Sequence, residues 1–181
     1  VKGLADVRHV ATGLRHTCAI AGGTVGQVWC WGDNTYAQTG LSTGTQNQPT
    51  KPILLGDRLT SLEAGLYHTC ALTQAGRIWC WGQESAGQLG NGSNAANPGK
   101  QTKPQAVEGI QDAIAIAAAE SATCALHRTG QVSCWGTNTN WVLGNKWSDS
   151  PRPVTVQGIA SAVSLTMGHQ HGCARLADKR L

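Results

Sequence analysis

His68-Thr69-Cys70-Ala71-Leu72-Thr73-Gln74-Ala75-Gly76-Arg77-Ile78-Trp79-Cys80-Trp81-Gly82 reads as two strands and the turn between them. Its flanks are rich in β-branched and aromatic residues, and Gln74-Ala75-Gly76 separates them. A three-residue loop ending in Gly is favoured because its last residue takes a left-handed backbone. Pairing outward from that loop sets Thr73 opposite Arg77, Leu72 opposite Ile78, Ala71 opposite Trp79 and Cys70 opposite Cys80. The loop Arg128-Thr129-Gly130 likewise sets Cys124 opposite Cys134. Cys18 faces Cys30 across a five-residue loop ending at Gly26, where two extra residues enter as a pair and preserve the register.

The unit recurs. The leading cysteines Cys18, Cys70, Cys124 and Cys173 are separated by 52, 54 and 49 residues. Periods of this length predict propeller blades or solenoid turns. The approximate repeats are 1–54, 55–106, 107–155 and 156–181, all within a single domain. The fourth starts its phrase at Gly168, reaches Cys173-Ala174-Arg175-Leu176, and stops at Leu181 before a Cys-Trp-Gly, so the chain is expected to be a partial structure. Ile114 to Glu120 contains good helix formers, but it aligns with 59–64 and 7–12 and is predicted to be a strand on that register. Pro49, Pro52, Pro98, Pro104, Pro151 and Pro153 are expected between the strands.

Opposed cysteines on neighbouring strands meet disulfide distances. The bridges Cys18–Cys30, Cys70–Cys80 and Cys124–Cys134 are therefore predicted, with Cys173 unpaired. Zinc is the rival, because His68, Cys70 and Cys80 share one face of the strand pair. The third unit has Ala122 where the others have His16, His68 and His171, yet it keeps both cysteines, which favours bridges and no metal. Bridges in turn imply an oxidising compartment, secreted or at the cell surface.

Charged residues are 13% of the chain and the formal net charge is +4, with no run of basic residues suited to tracking nucleic acid. The longest apolar run, residues 113–119, is too short to span a bilayer.

The recurring Gly-x-x-His-Thr-Cys-Ala-Leu and Gly-x-Val/Ile-x-Cys-Trp-Gly phrases, together with Ala86-Gly87-Gln88-Leu89-Gly90-Asn91-Gly92, resemble the regulator of chromosome condensation repeat. The paired cysteines are similar to those of its bacterial secreted forms. The resemblance implies an all-β fold: a β-propeller with blades of four antiparallel strands, about three and a half of them present here. Members include a nucleotide-exchange factor, a photoreceptor and a secreted enzyme inhibitor, so the fold alone leaves function open. Most present loops to a protein partner.

Trp31, Trp81 and Trp135 occupy the repeat's own Trp-Gly position and are expected to pack between blades. No Ser or acid recurs beside His16, His68 and His171, so a hydrolytic site is not supported, and these histidines are expected to serve as hydrogen-bonding groups at strand starts. Neither catalysis nor a cofactor is expected.

Positions that break the repeat are the better functional candidates. Trp141 replaces the residue at Gly87, and Lys146 and Trp147 follow in the same loop; two Trp and a Lys suit a partner-binding anchor. The longer loop from Asn91 to Lys103 is a second candidate. The expected function is a non-enzymatic extracellular binding module for a protein partner. The alternatives are a structural building block, including a homodimer that closes one ring, and a carbohydrate-binding module using Trp141 and Trp147.

Overall fold

The computed structural model describes residues 3–41, 44–49, 53–93, 99–145 and 148–179. Strands β1 (His9–Thr12), β2 (His16–Ala21) and β3 (Gln27–Gly32) form the first sheet. The second is β4 (Leu59–Ala64), β5 (His68–Thr73), β6 (Ile78–Gln83) and β7 (Lys100–Ala106). The third is β8 (Ala113–Ala118), β9 (Ala122–His127), β10 (Val132–Gly136) and β11 (Ser150–Thr155). Finally, β12 (Ala162–Met167) pairs with β13 (Gly172–Leu176). Every pairing is antiparallel and sequential in the chain. The first strand of each sheet packs against the first strand of the next, β1 to β4, β4 to β8 and β8 to β12. This is the arrangement of propeller blades around an axis, and the molecule is a partial β-propeller.

The hairpins have the register that their loops dictate. Cys70 pairs with Cys80, Ala71 with Trp79 and Leu72 with Ile78, with Gly76 at φ 81°. Cys18 pairs with Cys30 and Cys124 with Cys134. The segment rich in helix formers is the strand β8, because its alternate residues must fit a sheet already set by β9.

The prolines depart from expectation. Pro104 lies inside β7, and Pro151 and Pro153 lie inside β11. Both are outermost strands, where a residue without an N–H leaves no ladder bond unmade if that side faces outward. In the first blade the described residues of the outer segment form two bridges, Val28 with Ile53 and Gly32 with Gln46. Pro52 and Pro98 lie outside the described residues.

The core runs between blades. Trp135 packs with Cys70, Leu72, Ile78 and Leu89 of the second blade, and Trp81 packs with Ile20, Val28 and Leu62. Both indoles are fully buried, as expected, whereas Trp31 of the first blade is half-buried.

Candidate binding surface

The three bridges are formed, with Cα–Cα distances of 4.0–4.1 Å, and Cys173 is free and exposed. With their sulfurs bonded to each other, these cysteines offer no thiolate to zinc, and the histidines are engaged elsewhere. The imidazole Nε2 of His16 lies 2.9 Å from Thr69 Oγ1 on the next blade, and that of His68 lies 2.9 Å from Thr123 Oγ1.

These contacts form a latch that repeats from blade to blade. Thr69 Oγ1 donates to the Gln38 carbonyl at 2.8 Å, and the Trp81 indole N–H donates to the same oxygen at 3.0 Å. Thr123 and Trp135 do the same to the Gln88 carbonyl, at 3.2 and 3.0 Å. Because the threonine's proton goes to a carbonyl, the histidine must donate from Nε2. Their buried Nδ1 atoms have no partner, so a second proton there would have no acceptor and the imidazoles are neutral. Burial lowers the pKa of His16 to about 4 and that of His68 to about 3, the latter with a further push from His16. The receiving carbonyls escaped the sequence analysis, since a backbone acceptor leaves no mark on residue type. The one available cue was the Gln shared by Gly87-Gln88 and Ala37-Gln38.

Two acids, the half-buried Glu63 and the buried Glu84, oppose the histidines. Burial raises both Glu63 and Glu84 to a pKa of about 7; Glu84, fully buried, accepts from Asn91 Nδ2 at 2.9 Å. A histidine whose folded pKa is depressed destabilises the fold as pH falls below its unfolded value of 6.5. A carboxyl whose folded pKa is raised costs stability as pH rises from 4.5 through 7. Between pH 4.5 and 6.5 the two pairs oppose each other, and stability should be nearly flat there. Below pH 4.5 the acids no longer oppose the histidines, and Asp33, whose carboxyl is held low by hydrogen bonds from Thr35, adds to them, so stability should fall steeply. Glu84→Gln keeps an acceptor for Asn91, so it is expected to stabilise at pH 8 by about 1–3 kcal/mol and to expose a slope between pH 6.5 and 4.5. Urea denaturation across pH checks this, and an unchanged slope refutes it.

One further cluster does not recur and was missed. His127 Nδ1 lies 2.7 Å from Asp112 Oδ1, and its Nε2 lies 2.9 Å from Ser133 Oγ. The connectivity is that of a nucleophile relay, but the setting is not. Ser133 is buried in the middle of β10, whose backbone N–H groups are committed to β9 and β11 and cannot hold an oxyanion. The cluster ties the turn before β8 to the centre of its sheet.

The repeat breaks at the boundary between the third and fourth blades. Ala122 stands where the histidine would be, and Gly172 where its threonine partner would be. Both halves of the latch are missing together, so no buried group is orphaned. Surface contacts replace it: Gln170 Nε2 donates to Glu120 Oε2 at 3.1 Å, and Asn140 Nδ2 donates to Gln170 Oε1. Trp141 stands over this boundary, 66% exposed. It and Asn140 hold left-handed backbones, φ 63° and 56°. Gly87 takes the matching conformation at φ 78° and lies under Pro151 of the following blade. Beside Trp141 opens a cavity of about 220 Å³. Lys146 and Trp147, expected in the same loop, lie outside the described residues, as do 94–98 of the second candidate loop.

The description "Regulator of chromosome condensation (RCC1) repeat" matches residues 25–72 and 75–126, and a second form of it matches 7–38 and 59–88. The chain belongs to this family. It is 30% identical over 184 aligned residues to the human probable E3 ubiquitin-protein ligase HERC4, covering 96% of this chain but 17% of the ligase. Among solved structures it resembles human WBSCR16, with a TM-score of 0.81 at 18% identity, covering 95% of this chain and 46% of that one. It also resembles Prp20p of Saccharomyces cerevisiae, described with its binding to Gsp1p and histones, with a TM-score of 0.79 at 22% identity, covering 95% and 44%. The chain thus spans under half of either solved relative, and these likenesses establish the fold.

Proposed function

We propose that this RCC1-repeat chain is a non-catalytic protein-binding module whose contact face is the surface around Trp141. The exposed, left-handed Trp141 carries the reading. A bulky residue in that conformation costs about 1–2 kcal/mol, and a glycine serves at the same place in the second unit. Strain kept on an exposed aromatic is what a binding anchor would require. The histidines, threonines and buried indoles that recur are consumed by packing between blades, which leaves this non-repeating loop as the surface for recognition. The binding properties of Prp20p are a precedent on the same fold. The three bridges support a secreted or cell-surface setting.

Trp141→Gly should stabilise the chain by about 1 kcal/mol while weakening partner binding about tenfold or more. A photo-crosslinking amino acid at position 141, applied to intact source cells, identifies the partner. The same label at Leu54, which is 69% exposed, should give no adduct. Equal adducts from both positions would sink the reading. An adduct of two copies of this chain would make self-association the contact instead.

A further inference from the structure

We propose that Tyr36 and Tyr67 form an oxidative cross-linking site, whose product, a carbon–carbon bond between the two rings, staples the first blade to the second. This site is independent of the contact face around Trp141.

The chain has two tyrosines, and they are each other's neighbours. Tyr36 lies in the loop after β3, and Tyr67 in the turn between β4 and β5. Their ring centroids are 4.7 Å apart and the ring planes are inclined at 48°. That separation is at the close end of the about 4.5–7 Å that aromatic pairs span. The contact crosses a blade boundary and does not belong to the repeat. Ala86 and Ser121 stand at the matching places on the next boundary. Asn140 and Gln170 stand there on the one after, joined by a hydrogen bond. The backbones under both tyrosine rings are tied to β6. The Tyr36 N–H donates to Gln38 Oε1 at 2.9 Å, and the Gln38 carbonyl accepts from the Trp81 indole. The Tyr67 carbonyl accepts from the Gln83 N–H at 2.8 Å. Folding therefore brings the rings together and holds them there, which removes the cost of encounter from a coupling reaction. Both rings are half-buried, and among the described residues neither hydroxyl is hydrogen-bonded, so an oxidant can reach them.

The three disulfides each close a hairpin within one blade, so none of them ties one blade to another. A bond between Tyr36 and Tyr67 supplies such a tie at the first boundary. The oxidant is hydrogen peroxide acting through a haem peroxidase. Each phenol gives up one electron and one proton, and the two phenoxyl radicals join through ring carbons ortho to oxygen. The hydrogens on those carbons then move to the oxygens by way of water, which restores the phenols. The chain loses two hydrogens in all, and one peroxide takes them up to leave two waters.

The test uses the whole chain with its bridges intact and the exposed Cys173 first alkylated, because a free thiol would itself be oxidised. One equivalent of peroxide with a haem peroxidase should give a monomer lighter by two hydrogens that shows dityrosine fluorescence. Trypsin after reduction should release residues 16–58 joined to residues 59–77. Tyr36→Phe and Tyr67→Phe should each abolish the product. Unfolding the chain in guanidinium before adding oxidant should lower the yield about tenfold, because the rings are then no longer held together. The stapled chain should have a folding equilibrium constant about a hundredfold larger, since the cross-link restricts the unfolded state. A higher guanidinium midpoint reads that gain. Chains joined pairwise instead, or no fluorescent product from the folded chain, would overturn the proposal. A midpoint that stapling leaves unchanged would overturn the role of the bond as a tie between blades.

Discussion

Full reduction of the chain is expected to unfold it, or nearly so, at physiological temperature. Each bridge closes a loop of 10 or 12 residues' separation, and a loop of that size limits the unfolded chain by about 3 kcal/mol. The hairpins are short and partly self-closing, so the realised effect per bridge will be smaller. Three bridges together still rival the about 5–15 kcal/mol that holds an ordinary domain folded. The core makes this acute, because there is no Phe and the interior relies on Ala, Cys and a few Trp, Leu and Ile. Guanidinium denaturation with and without a phosphine reductant measures the loss. A midpoint unchanged after reduction, with mass confirming seven free thiols, would refute it.

The order of reduction is informative too. Cys18, Cys70 and Cys80 are fully buried, so a reductant reaches the first two bridges only when a blade opens. Cys124 and Cys134 are buried as well, to the same degree as Cys30, but they also line the open cavity. The third bridge should therefore be reduced first.

Strand register was legible in the sequence because two local constraints fix it: loop length, and the left-handed glycine that ends each loop. Burial of Trp81 and Trp135 was legible because they recur. What recurrence could not show was position in the ring. Trp31 carries the same residue in the same phrase, but among the described residues no blade precedes its own, and it is half-buried. The His68–Thr123 contact joins residues 55 apart in sequence through a blade interface, which no local pattern reports. The prolines misled because the propensity rule describes central strands, and β7 and β11 are edges. At the candidate face, the sequence revealed that Trp141 breaks the pattern. It did not reveal the strained backbone.

The latch also explains a glycine that no turn requires. Gly65 is not left-handed, yet a Cβ there would lie 2.2 Å from His68 Cε1 and 2.4 Å from the Ala119 carbonyl. Neither neighbour yields readily: the ring is fully buried and bonded to Thr123, and the carbonyl belongs to the next blade's backbone. Gly65→Ala is therefore expected to cost about 3 kcal/mol or more, at the upper end for overpacking. Gly13 and Gly168 meet His16 and His171 in the same way. The third unit has neither member of the pair, with Ala119 at the glycine's place and Ala122 at the histidine's. That natural double change predicts the rescue. His68→Ala alone should cost about 2–3 kcal/mol through the cavity it leaves. Added to Gly65→Ala, it should restore part of the stability, because the methyl then occupies space that the ring has vacated. The double-mutant cycle should give a favourable coupling of about 1–3 kcal/mol. Strict additivity would mean that the Ala119 carbonyl, not the imidazole, sets the requirement for glycine at this position.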